Sequence, residues 1–252
     1  MNETLPDGAA DEPAYRNPSD RAVSEIFGSA PVEIANLPGR LIVLEGTDGA
    51  GRSTHVALLR EHLEIRGLAV MSTGLTRGRL AGDGLKKAKL GTTAGQRTLD
   101  LYYATDFADR LENEILPALR AGFIVLTDRY IYSLMARSAV RGTDRRWLQD
   151  LYRFAPIPHG ILYLKVDVAH LVPRIVARGG FDYWESGMDF QEETDVFQSF
   201  VRYQTRLLAV LDTMAAEFGF QTIDANGETA RTFGEVRGAV DRLVDDMRGI
   251  DR

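Results

Sequence analysis

Along residues 38–252, short β-branched and aliphatic runs alternate with longer stretches whose apolar positions recur every three or four residues. That alternation is the pattern of a parallel sheet covered by helices. Strands are expected at 40–45 (RLIVLE), 68–73, 123–127 (FIVLT), 160–166 (GILYLKV) and 220–223. Most are apolar at every position, as burial on both faces requires. Helices are expected at 53–66, 95–121, 131–140, 145–154, 169–178, about 194–218 and 228–247. In the first, Val56, Leu59 and Leu63 share one face while Arg60, Glu61 and Glu64 can point to water. The chain from residue 38 onward is long enough for a single α/β domain, and it shows no internal repeat.

Charge separates the first 37 residues from the rest. They hold seven acids and two bases, a net of −5 out of −6 for the whole chain. Rich in Pro, Asp, Glu, Asn and Ala, they read as an acidic, disordered extension with room for a short helix within 20–28. The nearly neutral remainder lacks the basic face of a general nucleic-acid binder. There is no cysteine, which excludes disulfides, thiol nucleophiles and zinc-thiolate sites, and His55, His62, His159 and His170 are scattered. No apolar run reaches the roughly 18 residues of a membrane helix, and the N-terminus lacks a secretory pattern. A cytoplasmic protein is expected.

The most specific feature is Gly46-Thr47-Asp48-Gly49-Ala50-Gly51-Arg52-Ser53-Thr54, between an expected strand and an expected helix. It fits the phosphate-loop pattern GxxxxGK[ST] except that Arg52 stands in place of Lys. Glycines there let backbone N–H groups close around phosphate oxygens, and the helix directs its positive end at the same point. Ser53 offers the hydroxyl for Mg²⁺. Arg52 keeps the charge but is larger and planar, with a fork that can bridge two phosphate oxygens. Its alternatives are phosphoryl transfer or nucleotide binding alone.

A second cluster surrounds the third strand: Leu101-Tyr102-Tyr103-Ala104-Thr105-Asp106-Phe107-Ala108-Asp109-Arg110 before it, Asp128-Arg129-Tyr130 after it. Asp128 falls at the carboxyl end of a strand, where open α/β sheets place ligands, and is suited to Mg²⁺ or its waters. Arg129 is suited to clamp an acceptor phosphate; the alternative for the triplet is a helix cap with a salt bridge.

Together, LIVLEGTDGAGRST and LYYATDFADRLENEILPALRAGFIVLTDRY resemble the thymidylate kinases, over about 39–247. The resemblance implies a P-loop NTPase fold with a five-stranded parallel sheet and a mobile lid, here about 179–190. It implies transfer from ATP, with Mg²⁺, to dTMP or a related pyrimidine deoxynucleotide, and a homodimer. Gly46–Thr54 then matches the ATP loop, Asp48 the acid near the acceptor, and Tyr103 the aromatic that stacks on the base. Asp128 matches the magnesium-associated acid and Arg129, followed by Tyr130, the acceptor-phosphate arginine. Tyr103 reads equally as a core aromatic without the family match.

Three departures concern the acceptor and the catalytic cation. The family's Thr-Arg-Glu-Pro-Gly-Gly segment is replaced by Thr73-Gly74-Leu75-Thr76-Arg77-Gly78-Arg79, with Arg77 available for its arginine role. Phe107 stands where the family often has a base-edge arginine, which alters base choice. The lid segment has no Lys or Arg, and Gly49 occupies the loop position where some members carry a catalytic arginine. The cation must come from Arg52, from Arg174 or Arg178, or from Arg137 or Arg141. Spacing favours Arg174 and Arg178, four apart on one helix, against a solvated basic face. The rival function is a catalytically weak nucleotide sensor, or a kinase for a modified nucleotide. Asp128-Arg129-Tyr130 argues against the deoxynucleoside kinases, which carry a Glu-Arg-Ser setting.

Overall fold

The computed structural model describes residues 32–75, 78, 80–90, 94–245 and 247. Arg77 and the helix expected within 20–28 lie outside the described residues. Five parallel strands are β1 (Arg40–Glu45), β2 (Val70–Gly74), β3 (Ile124–Asp128), β4 (Gly160–Lys165) and β5 (Gln221–Asp224), in the order β2-β3-β1-β4-β5. Each β1 side chain from Leu41 to Leu44 is buried. Leu41 and Val43 enter one apolar layer with Val125, Ile161 and Tyr163, whereas Ile42 and Leu44 enter the other with Ile124, Leu126, Leu162 and Leu164. Burial on both faces is why these strands read as unbroken apolar runs.

Among the described residues the helices are α1 (Arg52–Ile65), α2 (Gly82–Leu90), α3 (Gln96–Arg110), α4 (Leu116–Arg120), α5 (Ile131–Val140), α6 (Arg145–Leu151), α7 (Val168–Ala177), α8 (Val196–Phe218) and α9 (Thr229–Val244). The 23-residue α8 is bounded by local chemistry: Asp195 accepts from Phe197 N–H and Gln198 N–H at its start, and Gly219, in the left-handed region at φ 66°, ends it.

The single helix expected over 95–121 is divided. A π turn at Leu111–Ile115 separates α3 from α4, and Pro117 follows it. Proline has no N–H to give the carbonyl four residues back, so the ladder there widens instead of continuing as α. α2 was not expected, because its Gly-Asp-Gly start reads as a loop; Leu85 buries it. The second strand begins two residues later than expected and the fifth one later. Ile34, placed in the extension by composition, is buried in the core with Leu37 packed beside it.

β1 is central, and the chain turns to either side of it, making the carboxyl ends of β1 and β3 the ligand-binding edge of such a sheet. Their register sets Asp128 beside Leu44, two residues before Gly46.

Candidate active site

The Gly46–Gly51 turn is held by backbone geometry. Gly46, at φ 150°, lies so close to β4 that a Cβ would meet the Leu164 carbonyl oxygen at 2.8 Å. Gly49 has φ 81°, and a Cβ there would lie 3.1 Å from Ile175. An arginine at 49, the side chain missing from this loop, would therefore be strained in this backbone. No side chain caps α1, so its first-turn amides remain directed at the loop, the arrangement that receives phosphate.

Arg52 turns back onto the protein. Its Nη1 donates to the carbonyls of Gly46 (2.6 Å) and Thr47, and its Nε donates to Asp128 Oδ1 at 2.7 Å. Nε and Nη1 are thus both engaged, which leaves only Nη2 of the fork expected to bridge phosphate oxygens. Ser53 Oγ donates to Asp128 Oδ2 at 2.6 Å. Asp128 is held below the usual carboxylate range: burial pushes it up, but Arg52, Arg129 and the Ser53 hydroxyl outweigh that. Two hard oxygen ligands from facing elements fit Mg²⁺, which keeps waters and takes few protein ligands. No group of three or more His, Cys, Asp or Glu side chains that could hold a metal ion exists among the described residues.

Asp48 is the centre of a second ion cluster. Although buried, it receives Arg129 Nη2 on Oδ1 and Arg137 Nη2 on Oδ2. Burial raises its pKa, but Arg129, Arg137 and Arg52 together drive it far below the ordinary value. The Arg137 guanidinium is correspondingly raised: burial pulls it down and the Asp48 charge more than offsets that.

Arg129 is the only non-glycine at positive φ among the described residues, at 71°. Such a conformation costs on the order of 1–3 kcal/mol and persists only where its surroundings impose it. Here Arg129 N–H donates to Leu44 O (2.9 Å), Thr127 Oγ1 donates to Arg129 O (2.5 Å), and Asp48 holds the side chain. Next to it, the buried Glu45 carboxyl accepts from Tyr130 N–H at 2.9 Å, Ser133 N–H at 3.2 Å and the Ser133 hydroxyl. Glu45 thereby ties the end of β1 to the first turn of α5. Burial raises its pKa, against Ser133 and Arg52.

A pocket between α3 and α5 is lined by Gln96, Leu99, Tyr103, Leu134, Arg137, Ser138, Arg141 and Trp184. Asp100 fixes its walls, accepting from Gln96 Nε2 (2.7 Å), Ser138 Oγ (2.5 Å) and Thr143 Oγ1 (3.0 Å). Segment 179–190 covers it as a series of turns. Arg141 pairs with both oxygens of Asp189 (2.8 and 2.9 Å) and donates to Trp184 O, while Gln204 Nε2 donates to Glu185 O. Phe181 packs on Phe200 at 4.9 Å. Burial and the Asp48 charge push the Glu185 carboxyl up, with Arg178, Arg137 and Arg129 opposing.

The structure brings together Gly46–Thr54, Asp128 and Arg129 and sets Tyr103 in the pocket wall. Other expected site residues stand elsewhere. Phe107 is fully buried, edge-on to Tyr130 with ring centroids 5.0 Å apart, and is core, not a base-edge contact. Tyr130 donates its hydroxyl to Pro156 O at 2.9 Å and is likewise core. Arg174 is corrected: Nη2 donates to Ala225 O (2.7 Å) and Asn226 O (3.2 Å), closing the turn after β5. Arg178, half exposed, pairs with Glu185 of the covering segment. Spacing alone missed Glu45, Asp100 and the Arg141–Asp189 lock, and ranked Arg137 behind Arg174. The same four-residue spacing links Arg137 to Arg141, on the helix that begins at the DRY turn.

No helix among the described residues is long and apolar enough to cross a membrane. The family model for thymidylate kinase matches residues 44–231. A probable thymidylate kinase 2 of Saccharolobus solfataricus is 35% identical over 209 residues, covering 82% of this chain and 98% of that protein. A thymidylate kinase of Akkermansia muciniphila is 36% identical over 166 residues, covering 64% and 79%. The phosphate loop, the DRY turn and a match of this extent agree, and the chain belongs to the thymidylate kinase family of ATP-dependent phosphotransferases.

Proposed function

We propose that this nucleoside-monophosphate kinase transfers the γ-phosphoryl group of ATP to dTMP across the space between the Gly46–Thr54 loop and the α3–α5 pocket. The observation that carries the reading is the Asp48 cluster, which joins the loop to Arg129 beside an aromatic-walled pocket. An oxygen of the acceptor phosphate attacks the γ-phosphorus, the P–O bond to the β-phosphate breaks, and ADP leaves with the electron pair. No covalent enzyme intermediate is needed, so positioning and charge neutralisation carry the catalysis.

In this reading the loop amides and Arg52 hold the donor phosphates, Arg129 holds the acceptor phosphate, and Tyr103 stacks on the base. Ser53 and Asp128 hold Mg²⁺, which when bound neutralises charge on the β- and γ-phosphates. The covering segment 179–190 opens for entry and excludes water when shut. The family resemblance supports a homodimer, which sedimentation tests, and the cysteine-free chain fits a cytoplasmic setting.

The test is ADP release from Mg·ATP with dTMP, dUMP, dCMP, UMP, CMP, AMP and thymidine offered separately. Release that depends on dTMP is expected. ATP binding without release from any acceptor would replace this reading by the nucleotide-sensor one.

A further inference from the structure

Among the described residues, Arg137 alone belongs both to the wall of the α3–α5 pocket and to the ion cluster at the phosphate loop. It lies on α5, two helical turns beyond Arg129, and the two arginines approach one carboxylate from its two sides. Their Nη2 atoms are therefore already converged on a common anion. The Arg137 side chain donates to no other described residue, which leaves Nε and Nη1 for a ligand.

The arginines around it are not paired one to one. Arg52 is matched by Asp128, but Arg129 and Arg137 share Asp48. Glu45, nearby, is tied to Tyr130 and Ser133, and Glu185, which feels both arginines, is itself paired with Arg178. Two guanidiniums on one buried carboxylate leave room for one further anion between them, in a place where unmatched charge is costly. Among the described residues, the other arginines weighed for this role are engaged, and the loop tip and the covering segment carry none. Gly49 and residues 179–190 carry no base, and Arg174 closes the β5 turn. Arg141 locks the covering segment, and Arg178 is held by Glu185.

We propose that Arg137 is the catalytic cation of this chain, its guanidinium passing from Asp48 to the phosphate oxygens between acceptor and γ-phosphorus. The proposal rests on the phosphotransfer reading above and names the residue that takes the role absent from loop and lid. Arg129 then anchors the acceptor, while Arg137 bridges the group in flight, where a planar fork reaches two oxygens at once.

The experiment uses the full chain and its Arg137→Gln, Arg137→Lys, Asp48→Asn and Asp48→Asn/Arg137→Gln variants. It measures kcat, both KM values, ATP binding by titration, and melting temperature. Arg137→Gln is expected to lower kcat by about 100-fold or more, in line with loss of one transition-state donor, with KM for ATP within about threefold. Arg137→Lys is expected to recover about tenfold of that, since it restores charge without the fork.

The double variant separates catalysis from mere neutralisation of Asp48. A counter-ion role predicts no further loss from Arg137→Gln once Asp48 is Asn; the catalytic role predicts a further loss of tenfold or more. Wild-type kcat in Arg137→Gln, or no added loss in the double variant, overturns the proposal. If Arg137→Gln melts below the assay temperature, Arg137→Lys decides: full activity overturns, and a tenfold or greater loss in kcat with ATP affinity kept supports. Wild-type protein that binds ATP yet makes no ADP with dTMP fails earlier, at the phosphotransfer reading itself.

Discussion

Replacing Glu45 separates two things that the carboxyl does at once. It is buried at the end of β1 and accepts from Tyr130 N–H, Ser133 N–H and the Ser133 hydroxyl. Glu45→Ala leaves two buried backbone donors without an acceptor, at about 1–3 kcal/mol each, or about 2–6 kcal/mol in all. Glu45→Gln keeps one acceptor oxygen for the amides and offers an N–H to the Ser133 oxygen, so its cost should stay near 1 kcal/mol. In a domain of this size 1 kcal/mol moves the melting temperature by about 2–4 °C, so the alanine variant should melt roughly 8–16 °C lower for a mid-range loss of about 4 kcal/mol.

The same bonds hold the first turn of α5 against the strained Arg129, so Glu45→Ala should also reduce kcat/KM for dTMP about tenfold or more while leaving ATP binding nearly intact. Stability against pH supplies a second check. Because burial raises the folded-state pKa of Glu45, its stabilising contribution is full below the ordinary carboxylate value and is lost as pH rises through the folded value. Glu45→Gln removes that loss and gains on wild type as pH rises. Thermal melts over pH and steady-state kinetics measure both effects. Equal melting temperatures and equal acceptor kinetics for the Ala and Gln variants would refute the reasoning.

Four further outcomes are expected. Arg52→Ala leaves Asp128 without its ion-pair partner and should cost about 3–5 kcal/mol in stability and nearly all ADP formation; near-normal turnover would show that loop amides suffice. Arg129→Ala should raise the dTMP KM at least tenfold and lower kcat while ATP affinity, read by titration, stays within about threefold. Asp189→Asn weakens the lock on Arg141 and should speed proteolytic cleavage within 179–190 and raise the dTMP KM a few-fold. Ile34→Ala should lower stability by about 2–4 kcal/mol in a denaturant melt, where a detached residue would give none.

Features written contiguously were legible in the sequence. β1, β3 and β4 read as unbroken apolar runs because both of their faces are buried. The phosphate loop and the DRY turn carry their chemistry in adjacent residues. What depended on register between distant elements was not legible. Arg174 and Arg178 share a helix face, but spacing does not say what that face meets, and Arg174 meets the turn after β5. Glu45 looked like the polar last residue of a strand; its role exists only because α5 starts beside it. Phe107, placed at an arginine position by resemblance, turned inward because Tyr130, Tyr152 and Phe154 surround it with aromatic surface. The proline at 117 was visible, yet its effect, a π turn rather than a break, needed the buried Leu111 and Ile115 to hold both halves in place.

The substitutions that set this chain apart form one physical pattern. With Arg at 52, the side chain is long enough to reach the Gly46 and Thr47 carbonyls and Asp128, so it closes the loop on itself. A guanidinium so engaged has only Nη2 left to offer a phosphate, less than a free ammonium would offer. The tip glycine, at φ 81° with Ile175 close by, would strain a second cation there, and the covering segment carries acids instead of bases. Positive charge has instead collected on α5 and at its two ends, at Arg129, Arg137 and Arg141. Arg129 and Arg137 meet the loop through Asp48, and Arg141 meets the cover through Asp189. A helix fixed at its start by Glu45 and along its side by Asp100 is a firmer mount for these side chains than a lid. On the proposed reading, closing the cover would have only to exclude water, because the arginines proposed to act on the phosphates are already in place beneath it.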